Sequence, residues 1–470
     1  KRFFFSECSK KLNPLYLYCE TKLQNNKGAR SIKKSEKIFL QTKEYIVTSL
    51  YLNDRRRLSL IILGMIGSFP LVIFMSYVGL YLEDIQTAAW LIALILAFRN
   101  IYQIFLRIPL GQFSQIVGRK PLLIAGISCY TVSLFTMSLA FHWTIVLIAV
   151  TFLAIGMSCF WPVLFAYIGD IEKNNIGQLQ GRVFQGTDMG TILGSLLAVL
   201  LLETFHVKLQ TLFAWGAGIS LLGVIFMSFY LPEVLEKEER LETNSKMKAL
   251  GSAFVEMFRN LTIITKEKKL RFIYLLQLCI AFIEYIITAF FPFLIVSKGF
   301  PDGTVSTIFW ISSGILIFFK PFFGKIVDKF SYKIPIFITL IISSTMLVLM
   351  TIMNTLPWLI VVYIFFSASS LTSYIGVNTG TTIESKPSQR GMALGALGFY
   401  VSLSRSVSTL TFSPILLTNE VSEVINSIFI ATAIIILAAI FYINLFYNFL
   451  SNNDKIPKNA IIKSKNKKEK

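Results

Sequence analysis

Three ionisable residues lie inside long apolar segments, where a charge is costly and therefore marks a candidate site. Glu284 stands 12 positions after Phe272, the first residue of its segment, which is about 18 Å along a helix. A carboxyl group at that depth holds a proton in dry surroundings and releases it in wet ones, as proton coupling requires. Arg99 and Arg405 lie in two further segments, where a guanidinium binds an anionic solute or pairs with Glu284.

Each of these residues also has a plain structural explanation. A neighbouring hydroxyl can hold the Glu284 carboxyl for helix packing, and long arginine side chains can extend towards a membrane interface. The sequence leaves both explanations open beside the functional one.

A cluster of glycine and basic residues occurs twice in the chain. Arg107–Gly111, followed by Gly118–Lys120, returns 213 positions later as Lys320–Gly324, followed by Asp328 and Lys329. A second echo matches Arg182 and its glycines to Arg390 and its glycines at an offset of 208. The two offsets indicate a duplicated unit of roughly 200 residues, which is typical of membrane proteins built from two similar halves.

The composition excludes a soluble globular protein. The mean hydropathy is +0.65, and only 15% of the residues are charged. Segments of about 20 apolar residues cross a bilayer as helices, and the sequence predicts twelve. They are Leu58–Leu82, Thr87–Leu106, Pro121–Phe141, Thr144–Ile168, Val183–Leu202, Leu209–Leu231, Phe272–Val296, Val305–Phe323, Ile334–Met353, Leu356–Ile383, Met392–Leu417 and Val424–Leu450.

The net charge of +19 follows the connections between these spans. Lys and Arg gather in alternate connections, around Arg119 and Lys329 for example, whereas the other set contains only Lys208 and Lys298. This asymmetry predicts a plasma-membrane protein with both termini in the cytoplasm. It does not indicate a nucleic-acid partner. The five scattered cysteines and two histidines show no metal-ligand spacing, so we expect no metal or cofactor.

The spans divide the chain into five parts. We expect a basic, disordered segment at 1–57, a six-helix lobe at 58–231, a cytoplasmic loop at 232–270, a second lobe at 271–450 and a basic tail at 451–470. In the loop, Ala253, Met257 and Leu261 recur at helical spacing, which predicts either a short helix on the membrane surface or a plain linker with a helical turn.

The chain resembles the major facilitator superfamily of secondary transporters. The family's signature has ten positions. Gly stands at the first, Asp at the fifth, either Arg or Lys at the sixth, Gly at the eighth, Arg at the ninth and either Arg or Lys at the tenth; the other positions vary. The copy at Gly111–Lys120 has Gln115 and Ile116 in place of the acid–base pair, and the copy at Gly324–Lys333 has Ser331 in place of the later glycine. The resemblance covers about Asp54 to Leu450. It implies an all-α integral membrane fold of twelve transmembrane helices in two pseudo-symmetric six-helix bundles.

The resemblance also implies an inner gate built from the signature. Asp328 would meet the start of the fifth span near Arg182, whereas Gln115 would face the start of the eleventh span without a charge. We therefore expect a gate held mainly on one side. Either Asp188 and Lys320, near the cytoplasmic ends of the fifth and eighth spans, form a second ion pair of this gate, or Lys320 extends towards the membrane interface. A role in topology alone stays open. The gate candidates are Gly111, Gly118, Arg119, Lys120, Gly324, Asp328, Lys329, Arg182, Asp188, Lys320 and Arg390.

By the same resemblance the first, fourth, seventh and tenth spans line a central cavity. Trp161, Tyr374 and Asn378 join Glu284 and the two arginines as substrate candidates, although packing explains aromatic residues equally well. We expect a monomeric secondary transporter, not an enzyme, that moves a small organic or anionic solute with protons. Drug–proton antiport and a transporter-like sensor or scaffold are the alternatives. Drug antiporters of the family carry Gly-Pro in the fifth span, where this chain has Gly194-Ser195.

Overall fold

A computed structural model describes residues 55–172, 175–235, 246–301, 303–416 and 421–447 of the chain. The tail expected at 451–470, and all of the segment expected at 1–57 except its last three residues, lie outside the described residues. Within them every regular element is a helix, and fourteen α-helices follow one another along the chain.

The first six helices correspond to the first six predicted spans. Most begin or end beyond the apolar run, because polar residues continue the helix into the interface without breaking its hydrogen bonds. A π-helical turn, Leu200–Thr204, extends the fifth of them. The six are α1 (Arg55–Asp84), α2 (Ala89–Val117), α3 (Arg119–Ser138), α4 (Trp143–Ile171), α5 (Ile176–Val199) and α6 (Leu209–Tyr230).

The second half repeats this pattern after two short helices in the central connection. The short helices are α7 (Lys246–Val255) and α8 (Met257–Lys266). Six long helices follow: α9 (Lys268–Ser297), α10 (Gly303–Phe330), α11 (Lys333–Ile352), α12 (Leu356–Glu384), α13 (Arg390–Leu416) and α14 (Val421–Tyr447).

Twelve of these helices form the two membrane-spanning bundles. Among the described residues eleven are both long enough and apolar enough to cross a membrane by composition alone. The twelfth is α13, which has 27 residues but contains Arg405 and many serines and glycines. Its polar residues lie where it packs between helices and on the cavity described below, so its low apolar content reflects its position inside the protein.

The repeated signature is mostly helical rather than a loop. Helix α2 continues 11 residues beyond the predicted end at Leu106, and Gly118, with a φ of 111°, makes the whole turn into α3. In the second half Ser331 occupies the corresponding turn with a φ of 62°. A positive φ is readily adopted by glycine and is strained for serine. The second signature copy therefore keeps the turn although serine replaces glycine there, and its backbone is strained at Ser331.

Glycines on one face of α5 bring α1 against it. A Cβ atom on Gly186 would lie 1.9 Å from the Ile61 carbonyl oxygen, and one on Gly190 would lie 2.3 Å from that of Met65. The absence of side chains lets the two backbones touch, as in small-residue packing of membrane helices generally. The glycine series of the fifth span is therefore part of the packing of the first half.

The two halves meet through a second kind of glycine contact, backbone to backbone. A Cβ on Gly324 in α10 would lie 2.0 Å from the carbonyl oxygen of Gly177 in α5. A Cβ on Gly391 in α13 would lie 2.2 Å from the carbonyl oxygen of Gly111 in α2. Because Gly111 and Gly324 are equivalent positions of the repeated signature, their partners Gly391 and Gly177 are equivalent too. Equivalent residues of α5 and α13 are therefore 214 positions apart, and not 208 as the repeat in the sequence indicated.

The described part of the central connection, from residue 246 onward, is helical, while its expected place on the membrane surface stays a prediction. Ala253 and Met257 are buried, whereas Phe254 and Phe258 are exposed. The Asn260 amide donates a hydrogen bond of 2.8 Å to Gln112 in α2, which ties the connection to the end of the bundle that carries the signature.

Gly324→Ala should destabilise the closed arrangement of the halves, because the added methyl group would overlap backbone that cannot rotate away. Overpacking of this kind costs about 1–3 kcal/mol. Gly314→Ala in the same helix is the matched control, since a Cβ there meets nothing within 4 Å. Thermal unfolding in detergent should show a lower midpoint for the first variant only; equal midpoints would contradict the close crossing.

Candidate functional site

A cavity of about 510 Å³ lies between the two halves. Helices α1, α4, α9 and α12, the four expected lining spans, contribute to its wall, and α2, α5 and α13 complete it. The halves are joined on one side of this cavity, at the end of the bundle that contains the two signature copies, 111–120 and 324–333. We call that end the motif end.

An ion pair lies in the wall of the cavity. A guanidinium nitrogen of Arg405 in α13 lies 3.1 Å from a carboxylate oxygen of Glu284 in α9, and the side chains are 35% and 27% exposed. Both residues line the cavity. This carboxylate and this guanidinium are therefore partly desolvated and yet within reach of a solute or a water molecule.

Two more arginines carry positive charge to the same region. Arg107 lines the cavity and is 6% exposed; it donates to the carbonyl oxygen of Gly398 at 2.6 Å and to the side-chain oxygen of Gln103. Arg99, predicted to reach the cavity or Glu284, instead contacts Met75 in α1 and the side chain of Asn100. The charges of Arg99, Arg107 and Arg405 repel one another.

Aromatic rings form the part of the cavity wall nearest the motif end. Trp161 packs against Phe165, with ring centroids 6.1 Å apart. Tyr374, from the other half, meets Phe165 at 6.4 Å and Phe184 at 5.5 Å, edge to face. Asn378 also lines the cavity, but its amide donates to the Tyr374 carbonyl one turn earlier in the helix. The wall thus offers π-faces and a few polar atoms.

Asp328 holds one side of the gate through the backbone of the opposite half. Its two carboxylate oxygens accept hydrogen bonds of 2.8 Å from the N–H groups of Gly177 and Gln178, in the first turn of α5. A carboxylate at a helix N-terminus is stabilised by unpaired N–H groups and by the helix dipole. Arg182, the expected neighbour, is buried further along the same helix.

The other side of the gate is also held by charge, so the expectation of a one-sided gate is wrong. Asp170, in the last turn of α4, forms ion pairs with Arg119 of its own half and with Arg390 of the other half. The Arg119 side chain is fully buried, and those of Asp170 and Arg390 are about nine-tenths buried. Gln115 is buried beside this cluster, and its amide makes no hydrogen bond within the described residues.

The remaining signature residues stabilise the gate indirectly. Glu233 accepts hydrogen bonds from the backbone N–H groups of Arg119 and Lys120, at the start of α3, and Lys120 donates to the Ser228 carbonyl at 2.8 Å. Lys329 lies 5.1 Å from the ring of Phe330. These contacts fix the ends of helices rather than join the halves.

Asp188 and Lys320 form the second expected pair. The Lys320 ammonium lies 2.6 Å from the Asp188 carboxylate and also donates to the Phe184 carbonyl at 3.3 Å. The pair lies deeper in the bundle than the sequence suggested, about one helical turn from the aromatic wall, and it joins α10 to α5.

Sequence reasoning missed Asp170 and the cavity position of Arg107. Asp170 carried a usable signal, because an acid in the last turn of a helix opposes the helix dipole and needs a cation. Arg107 lies one residue beyond the predicted end of the second span at Leu106, so the apolar pattern gave no reason to place it in a cavity.

A helical membrane protein with two similar halves, a cavity between them and a charge-paired gate is a transporter rather than an enzyme. The chain belongs to the Major Facilitator Superfamily, whose sequence profile matches residues 48–409. Multidrug resistance protein 2 of Bacillus subtilis (strain 168) is 23% identical over 310 residues, which are 62% of this chain and 72% of that protein.

Two solved structures share the fold. The human organic anion transporter MFSD10 (TETRAN) aligns with a TM-score of 0.68 at 13% identity, over 84% of this chain and 100% of that one. The Escherichia coli fucose:proton symporter FucP aligns with a TM-score of 0.63 at 13% identity, over 83% and 98%. At such identities the likeness shows the fold alone.

Asp170→Asn should destabilise the protein strongly, because it leaves two arginines without their carboxylate, one of them fully buried. Removing one partner of a buried pair costs about 3–5 kcal/mol. Glu256→Gln is the control: its pair with Arg259 spans 3.7 Å between largely exposed side chains and contributes at most about 1 kcal/mol. Detergent melting curves that fall equally for both variants would contradict the assigned role of Asp170.

Proposed function

We propose that this transporter moves a small organic anion together with a proton, and that the Glu284–Arg405 ion pair couples the two. The observation that carries the proposal is the 3.1 Å contact of these residues inside the cavity, among arginines that leave the region positive. A cation of that strength, partly desolvated, attracts a carboxylate or another anion.

The coupling rests on competition for one guanidinium. An anionic solute and the Glu284 carboxylate both seek Arg405, so binding of the solute is opposed while Glu284 is ionised. A proton on Glu284 removes that competitor and releases Arg405 to the solute. By thermodynamic reciprocity the bound anion then favours the proton to the same extent, and the two move in the same direction.

Alternating access would exchange the contacts of the motif end. In the described arrangement that end is closed by Asp328 on the start of α5 and by Asp170 on Arg390. Opening it requires both contacts to break while the opposite end closes over the solute. Because each half keeps its own packing, we propose that the halves rock as near-rigid bodies around the cavity.

We further propose that the motif end faces the cytoplasm of a plasma membrane and that the chain acts as a monomer. The support is the concentration of Lys and Arg in the connections at that end. Both chain termini would then lie on the same cytoplasmic side.

Efflux of aromatic drugs in exchange for protons is the second candidate function. The ring surfaces of Trp161, Phe165, Phe184 and Tyr374 favour it, as does the likeness to a bacterial multidrug resistance protein. Most such drugs are cations, however, and the two arginines that line this cavity against one glutamate oppose a cation there. The anion is therefore the better-supported substrate class.

Glu284→Gln should abolish proton-driven accumulation while leaving exchange intact. In proteoliposomes with an imposed pH gradient, we expect the wild type to accumulate isophthalate or benzenesulfonate, and the variant to accumulate neither above the leak, because it has lost the carboxyl group that takes up the proton. Counterflow of the same anion should persist, because the amide mimics the protonated carboxyl group.

Glu256→Gln, an exposed acid-to-amide change, is the control for this assay, and protein-free liposomes give the leak. Gradient-driven accumulation that is equal in the Glu284 variant and the wild type would remove Glu284 from the proton path. Transport of ethidium in place of both anions would favour drug antiport, and transport of no probe would favour a sensor or scaffold.

A further inference from the structure

The two halves each place one cation at the same point beside the cavity. Arg107 in α2 and Lys320 in α10 stand at equivalent positions of the repeated signature, 213 residues apart. Each lies where a glycine of the other half crosses closely: a Cβ on Gly395 would lie 2.4 Å from the Arg107 carbonyl oxygen, and one on Gly181 would lie 2.4 Å from that of Lys320. The two sites are related by the pseudo-symmetry of the fold.

The cations also bind equivalent carbonyl groups. Lys320 donates to the carbonyl oxygen of Phe184, and Arg107 donates to that of Gly398. The two acceptors are 214 positions apart, the offset that the glycine crossings establish for α5 and α13. The correspondence therefore holds at the level of single hydrogen bonds.

The counter-ion is where the two sites differ. Asp188, one turn after Phe184, neutralises Lys320 at 2.6 Å. The equivalent residue, one turn after Gly398, is Ser402, which is 1% exposed and cannot carry a charge. Sequence and fold together thus place an acid beside one cation and a hydroxyl beside the other.

Among the described residues, only neutral groups solvate the buried charge of Arg107. Its described partners are a carbonyl and an amide oxygen, and its Nε makes no hydrogen bond within the described residues. The two neighbouring arginines, Arg405 and Arg99, repel it. A buried cation in that state is unstable by several kcal/mol unless an anion joins it, and Arg107 faces the cavity.

We propose that an anionic group of the substrate is the counter-ion of Arg107 and takes the place that Asp188 occupies beside Lys320. This inference rests on the proposed function and narrows its substrate class. Arg107 and Arg405 both line the cavity, and they give it a charge of +2 once Glu284 is protonated, so a solute with two anionic groups balances that charge. One group would bind Arg107 and the other Arg405, once Glu284 is protonated. The substrate class is therefore a small dianion of the dicarboxylate type.

Ser402→Asp tests the proposal by building the missing acid. The probes are isophthalate, benzoate and benzamide, which share one ring and carry two, one and no negative charges at neutral pH. Thermal stabilisation of the purified full chain in detergent, titrated with each probe, gives relative affinities. We expect isophthalate to bind the wild type most tightly and benzamide least.

In the Ser402→Asp variant we expect a higher melting temperature without a probe and about tenfold weaker isophthalate binding, because the new carboxylate occupies Arg107. Ser402→Asn, of the same size without the charge, should leave the isophthalate preference in place. Unchanged isophthalate binding in the Ser402→Asp variant would overturn the proposal, whether its melting temperature rises or falls.

If Ser402→Asp does not fold, the variants Arg107→Gln and Arg107→Lys test the same proposal. The glutamine variant should bind isophthalate no better than benzoate, and the lysine variant should retain part of the preference; a preference unchanged in both would overturn the proposal. Failure of the proposed function has a different signature, namely isophthalate binding that depends on Arg107 without gradient-driven transport in proteoliposomes.

Discussion

A charge inside a bundle of apolar helices needs an opposite charge or an aligned dipole beside it, and much of this protein is arranged around that need. At the motif end the need is met within the protein, by Asp170 between two arginines and by Asp328 against the start of α5. In the cavity it is met in part, by Glu284 on Arg405. A cavity cation that lacks an opposite charge within the protein favours binding of an anion from solution.

Close glycine crossings make this arrangement of charges possible. Because α2 meets α13 and α5 meets α10 backbone to backbone, side chains one or two turns away reach across the interface and find partners there. The same crossings restrict the motion of the halves, since backbone surfaces either touch or separate. A gate built in this way favours two discrete arrangements over a continuous series.

Much of the fold could be predicted from the sequence, because twelve apolar segments and a repeated signature are direct consequences of a duplicated membrane unit. Glu284 and Arg405 could each be singled out by their cost in an apolar segment, but their pairing depends on the rotation of α9 and α13, which hydropathy does not report. Arg107 was misplaced for a related reason. Polar residues end an apolar run but not a helix, and α2 continues to Val117. The one-sided gate was wrong because an acid near the end of a span looks ordinary until its partners are known.

The two sides of the gate differ in the kind of partner that each acid uses, and this difference has a genetic consequence. Asp170 binds side chains, so a damaging change there can be repaired by a compensating change in an arginine. Asp328 binds the peptide groups of Gly177 and Gln178, which every amino acid except proline supplies. No charge swap in α5 can restore that contact, so we expect second-site suppressors of an Asp328 defect elsewhere in the chain.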